Sequence, residues 1–198
     1  FFGRSLRSGH KEIVGLLQVR GRVRVAAPNY RARPSGVKYA RAALGSTPGG
    51  LLRMDWVTSR PGAPQDLRAH GAPLPGGNGR AWDTRQALAC GPRLVENGRL
   101  RVTQREERLA SPGRLPRTLV AYGGGRLVLV TADALEFRDG AAFLLEYFRR
   151  TGGRCEQGMA LDGGSSTQAA WRQGNSVQAD GAAVVTVPTA LLLHASRP

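Results

Sequence analysis

Six consecutive residues carry the clearest chemistry in this sequence: Asp162-Gly163-Gly164-Ser165-Ser166-Thr167. A carboxylate is followed by two glycines and then by three hydroxyl side chains. The glycines let the backbone approach a ligand and supply N–H groups that can face an anion. Ser165, Ser166 and Thr167 supply donors for phosphate oxygens or sugar hydroxyls. Asp162 supplies a base, a nucleophile or a metal ligand. The plainer reading of the same residues is a polar turn between two strands, with Asp162 closing an Asx-turn.

The elements around this segment must position it. Gly158 to Leu161 reads as a short buried strand that runs straight into Asp162. Before it, Asp139 is a good N-cap for a helix from Gly140 to about Arg150. Phe143, Leu144, Tyr147 and Phe148 share one face of that helix and read as core, and Gly152-Gly153 ends it. Arg117 to Tyr122 and Arg126 to Ala132 read as two strands of a hairpin around Gly123-Gly124-Gly125. Gln168 to Trp171 resumes strand character, Gly174-Asn175 turns, and Ala182 to Val187 and Ala190 to His194 are expected as final strands.

The first half is less regular. Glu12 to Val19 and Arg22 to Ala26 read as two short strands around Gly21, with a Pro- and Arg-rich loop from Ala27 to Gly36. Leu51 to Val57 is a plausible strand. Ser59 to Arg80, with its prolines and glycines, is expected as a long irregular insertion. Ala87 to Val95 is apolar around the Cys90-Gly91-Pro92 turn, Asn97-Gly98 signals a hairpin, and Leu100 to Leu115 is a charged connection. The expected fold class is α+β: one domain over residues 1–198, with a curved mixed or antiparallel sheet system and at least one packed helix.

Composition bounds the alternatives. With 198 residues, 41% hydrophobic and 22% charged, the chain can bury a real core, and wholesale disorder is not expected. No apolar run reaches 18 residues, because Val184 to Leu193 is broken by Thr186, Pro188 and Thr189, so no transmembrane helix is expected. The net charge is +15, almost all of it arginine and most of it in the first half. One reading is an anionic partner; the plainer one is compositional drift in a chain rich in Arg, Ala and Gly but nearly free of Lys. The arginines are scattered, and aromatics at 6% do not interleave with them, so nucleic acid is not an expected partner. Cys90 and Cys155 form no C-x-x-C, no Cys/His cluster suggests zinc, and their pairing is left open by the sequence. His10, His70 and His194 are isolated and read as surface or packing residues. The serine-hydrolase elbow and the G-x-x-x-x-G-K-[ST] phosphate loop are absent.

Met159-Ala-Leu-Asp-Gly-Gly-Ser-Ser-Thr-Gln168 resembles the signature of the phosphodiester glycosidase family. This is the family of N-acetylglucosamine-1-phosphodiester α-N-acetylglucosaminidase and its bacterial relatives. Three further segments are similar to family segments in the family's order. They are Phe1-Phe2-Gly3, Ala87 to Gly98 with its Cys90-Gly91-Pro92, and Arg117-Thr118-Leu119-Val120-Ala121. Two glycines follow Asp162 where the family pattern has three, and Ala121 stands where the family usually has Gly. The family's first asparagine, glycines and N-terminal strands are expected upstream of Phe1.

The resemblance implies hydrolysis of a sugar-1-phosphodiester, N-acetylglucosamine-1-phosphodiester-like, to free sugar and a phosphomonoester. It implies that Asp162 is the acid/base or nucleophile and that Arg117 grips the phosphodiester. Gly163, Gly164, Ser165 and Ser166 would complete an anion cradle with Thr167 beside them, and Thr118, Gly91 and Pro92 would line the pocket. Asp133 and Glu96 are the carboxylates nearest family-like segments for a second catalytic role. No cofactor is expected, with a divalent metal at Asp162 left open. The implied partner is a sugar phosphate or an anionic polysaccharide, such as an exopolysaccharide, met outside the cytoplasm by a secreted or periplasmic bacterial protein. The alternative is a catalytically degenerate domain on the same fold that binds anionic glycans.

Overall fold

The computed structural model describes residues 2–4, 11–27, 39–109, 113–181 and 185–193. Phe1, His10, His194, the loop after Ala27 and the start of the expected strand 182–187 lie outside the described residues. β1 (Phe2–Arg4) and β2 (Lys11–Ile13) pair with each other. β3 (Leu17–Val19), β4 (Arg22–Val25), β5 (Arg41–Ser46), β6 (Leu52–Arg60), β7 (Ala63–His70), β8 (Arg80–Ala81) and β9 (Gln86–Ala89) form one sheet in the order β4-β3-β9-β5-β6-β7-β8. β10 (Arg93–Glu96), β11 (Arg99–Leu100), β12 (Leu115–Gly123), β13 (Arg126–Leu135) and β14 (Gln157–Ala160) form a second, in the order β11-β10-β14-β12-β13. The helix α1 (Phe137–Arg150) lies between β13 and β14 in sequence. β15 (Ala169–Gln173) and β16 (Ser176–Asp180) make a separate hairpin. Every pairing among the described residues is antiparallel, so the architecture is strand-rich and mainly β, with a single helix.

Strand alternation sorts the core into layers. Leu119 and Ala121 of β12 face α1, where Leu144 and Phe148 are fully buried against Leu94, Val95 and Cys155. Val120 of the same strand faces the other way. With Met159 it meets Ala42, Leu44, Met54 and Trp56 of the seven-stranded sheet. That sheet has a second core on its far face, built on Leu16, Val57, Leu67 and Trp82. The helix seats closely on its sheet: a Cβ at Gly140 would lie 2.8 Å from the Leu119 Cδ1.

Several local expectations change. The helix starts at Phe137 with Glu136 as N-cap, because Phe137 is buried against the sheet, and Asp139 falls in the first turn. There it pairs with Arg114 at 3.1 Å and favours the helix dipole. Phe143 and Tyr147 stay about half exposed, so only Leu144 and Phe148 of the expected aromatic face are core. The stretch 59–80 contains the regular strand β7. Its small alternating residues hide the pattern, and Pro64 falls where a register shift near Arg60 tolerates it. Around Gly123, Gly124 and Gly125 the hairpin forms as expected, with Gly124 and Gly125 both at positive φ. Residues 185–193 form no strand among the described residues; they run as a strap held by a bond from the Gln168 Nε2 to the Val185 carbonyl (2.9 Å).

Candidate functional site

Three backbone hydrogen bonds fix the end of β14. The Gly91 N–H donates to the Ala160 carbonyl (3.0 Å), the Ala160 N–H to the Pro92 carbonyl (2.9 Å) and the Leu161 N–H to the Thr118 carbonyl (2.8 Å). Asp162 therefore emerges at the strand end, one residue past Leu161, which is level with Thr118 on β12. The chain then turns hard against β12. A Cβ at Gly163 would lie 2.8 Å from the Pro116 carbonyl oxygen, so this position is closed to larger residues. Gly164 takes a φ of 62° and opens a single 3-10 turn over Gly164–Ser166.

Asp162 faces a cleft of about 610 Å³ at one end of the layer between the two sheets. Leu88 and Cys90 form its floor. Thr118, Leu129, Val130 and Thr131 form one wall, Ser166 and residues 168–171 another, and the strap contributes Val187 and residues 189–192. Thr118 and Thr131 face each other as a cross-strand pair. The hairpin β15–β16 is pinned to this wall where the Thr131 hydroxyl donates to the Asp180 carboxylate at 2.6 Å. The lining thus offers one carboxylate, a ring of hydroxyls, the Gln168 amide, the half-exposed Trp171 indole and a broad apolar floor; no Lys, Arg or His lines it among the described residues. Burial pushes the Cys90 thiol up, and the neighbouring Asp162 charge adds to that shift.

Of the residues singled out by sequence, Asp162, Thr118 and Ser166 meet in this cleft, with Gly163 and Gly164 forming the turn beside it. Ser165 is exposed and Thr167 buried, and neither lines the cleft. Arg117 is one residue out of phase with Thr118, so the structure turns it toward the helix layer. It is buried, its Nε donates to the Leu135 carbonyl and its Nη2 to the Gly113 carbonyl, both at 3.2 Å, and it lies 4.0 Å over the Phe137 ring. Burial lowers its pKa. Gly91 and Pro92 are buried and brace Ala160 rather than line the cleft; the missing Cβ of Gly91 leaves room for the Glu107 carboxylate. Asp133 is exposed on β13, and Glu96 lies at the other end of the layer. Cys90 and Cys155 are free and sit in different core layers.

Sequence reading missed Trp171, Thr131, Gln168 and Thr189, which only the fold gathers. An indole in an otherwise polar hairpin was the one available signal. It also missed Glu107, fully buried in what reads as a charged connection. Its carboxylate accepts from the Trp56 Nε1 (3.1 Å), the Arg93 N–H (3.0 Å), the Ala42 N–H (3.3 Å) and the Thr103 hydroxyl. It ties both sheets together. No group of three or more His, Cys, Asp or Glu suited to a metal occurs among the described residues, so a metal at Asp162 would have one carboxylate and neutral oxygens as ligands.

The frame agrees with the comparisons. The family model for phosphodiester glycosidase matches residues 40–194, and the chain belongs to that family. No curated protein matches. Among solved structures, the catalytic domain of zebrafish N-acetylglucosamine-1-phosphodiester alpha-N-acetylglucosaminidase, auto-inhibited by pro-peptide, is similar in fold. The match has a TM-score of 0.54 and 16% identity, over 84% of this chain and 50% of that one. A hypothetical protein from Synechocystis aligns with a TM-score of 0.47 and 15% identity, over 85% of this chain and 45% of that one. This chain spans about half the length of these solved relatives.

Proposed function

We propose that the protein hydrolyses a sugar-1-phosphodiester in the Asp162 cleft, releasing the sugar and a phosphomonoester. The observation that carries this is the meeting of Asp162 with Thr118, Thr131 and Ser166 in one cleft of a family domain. Water attacks the anomeric carbon, the bond from that carbon to the phosphate oxygen breaks, and Asp162 takes the proton from water. The departing phosphomonoester is already a stabilised anion, so it leaves without a proton from a second carboxylate. Arg117 is engaged elsewhere, and the phosphate is held by neutral donors: the hydroxyls of Thr118 and Ser166 and the backbone at Gly163 and Gly164, while the Thr131 hydroxyl stays committed to Asp180. The Trp171 indole, half exposed on the opposite wall, offers a flat apolar face to a sugar ring. The family resemblance at residues 159–168 extends this reading to a substrate met outside the cytoplasm.

The test is turnover of a panel of chromogenic sugar-1-phosphodiesters by this chain and by Asp162→Asn, each with and without EDTA. Turnover by the parent that disappears in the variant supports the proposal, and loss in EDTA adds a metal. Sugar-phosphate binding without turnover in either protein replaces it with the binding-domain reading, which the single carboxylate in the lining favours.

A further inference from the structure

At the other end of the inter-sheet layer lies a second cleft, of about 460 Å³. It opens where β7 stops pairing with β6. Trp56↔His70 is the last pair, and residues 52–55 continue with no partner strand on that edge among the described residues. Thr118 and Tyr122 show the relation of the two ends. They lie on the same face of β12, roughly 13 Å apart at strand rise, Thr118 in the first cleft and Tyr122 in the second.

The chemistry of the second cleft is cationic where the first is neutral and acidic. Arg93 is only 3% exposed. It lies 4.7 Å over the Trp56 ring, donates to the Met54 carbonyl on the free strand edge (3.1 Å) and to the Gln157 side chain, and pairs with Glu96 at 3.1 Å. Arg80 pairs with Asp55, whose other oxygen accepts from the Trp82 Nε1 at 2.7 Å. Both carboxylates of the cleft are therefore neutralised by guanidinium groups. Arg53, half-buried on β6, lines the same cleft and has no carboxylate within ion-pair distance among the described residues. Tyr122 also lines it, and its hydroxyl has no hydrogen-bond partner among them.

We propose that this cleft is a second binding site, independent of Asp162, for a small hydroxylated ligand carrying an oxyanion, either phosphate or carboxylate. Arg53 takes the oxyanion through two of its N–H groups, and the Tyr122 hydroxyl donates to it. Burial pushes the Tyr122 phenol up to about 12, so it stays a donor throughout the neutral range. The Asn97 and Gln157 amides, bonded to each other at 3.1 Å, meet the ligand's hydroxyls. The net charge of +15 draws anions toward the molecule.

The test is calorimetric titration of the intact chain with glucose 1-phosphate, glucuronate and neutral glucose, repeated on Arg53→Gln, Tyr122→Phe and Asp162→Asn. At least one anionic sugar binds and glucose does not. Arg53→Gln weakens that binding by roughly tenfold or more, Tyr122→Phe weakens it less, and Asp162→Asn leaves it unchanged. Binding of glucose 1-phosphate alone assigns the oxyanion to a phosphate, and of glucuronate alone to a carboxylate. Thermal melting of Arg53→Gln matches the parent, which excludes unfolding as the cause. No binding of either anion overturns the proposal, as does binding that survives Arg53→Gln or vanishes in Asp162→Asn.

Discussion

The two ends of the inter-sheet layer share a frame and differ in chemistry. At the Asp162 end, hydroxyls surround one carboxylate over an apolar floor, with no cation in the lining among the described residues. At the Arg53 end, guanidinium groups and carboxylates alternate, and most are already paired. Between them lie the buried Val120 and Met159, with Met54 and Trp56 packed beside them at the edge of the Arg53 cleft. A site that performs chemistry leaves its charged group available, whereas a site that is mostly paired has its charges occupied by structure. Among the described residues, Arg53 is the guanidinium of that cleft with no carboxylate partner. The large net charge is thus a poor guide to the Asp162 end, because no arginine among the described residues lines that cleft.

Substitutions at four positions break or sharpen this contrast. The largest effect is expected from Asp162→Asn, which lowers turnover roughly 10²–10⁴-fold while leaving anion binding at the Arg53 end intact. Steady-state rates beside calorimetry check both halves, and loss of both together would erase the distinction between the ends. Glu107→Ala comes next. It leaves the Trp56 indole and the Ala42 amide without their acceptor and takes one of two acceptors from the Arg93 amide and the Thr103 hydroxyl, at a cost of about 3 kcal/mol or more. Denaturant melting measures it, and Glu107→Gln, which keeps an acceptor oxygen, loses less. A melting curve unchanged in Glu107→Ala would show that the two sheets hold together without this carboxylate.

Arg117→Met is expected to cost about 1–3 kcal/mol, through the lost bonds to Leu135 and Gly113, with turnover per folded molecule preserved. The reverse result, an intact melting curve with collapsed turnover, would return Arg117 to the phosphate. Trp171→Ala has the smallest effect: KM rises about tenfold, equivalent to about 1.4 kcal/mol, with kcat and melting nearly unchanged. An unaltered KM would remove the indole from the substrate wall.

Legibility in the sequence followed locality. The Asn97-Gly98 and Gly124-Gly125 turns were readable because two adjacent residues determine each one, and both pairs sit at positive φ. The strand leading into Asp162 was readable from its small apolar run. β7 was hidden because Leu67 and Ala69 are its only large-effect inward residues and Pro64 masks the pattern. Arg117 is the instructive case. The motif lies on a strand that walls the cleft, but a period of two decides which neighbour faces it, and here it selects Thr118. Trp171, Thr131 and Thr189 reach the cleft from three separate elements, and no spacing in a linear chain announces that convergence. Glu107 was unreadable for the opposite reason: it sits among charges in sequence and among donors in space.

The unequal burial of the three tryptophans also has an optical consequence. Trp56 and Trp82 are 1% and 3% exposed, while Trp171 is 49% exposed on the cleft wall. A polar quencher in solution therefore extinguishes emission from one indole and spares two. The red edge of the intrinsic fluorescence becomes a single-residue reporter, built into the unlabelled chain, that follows occupancy of the Asp162 cleft in real time.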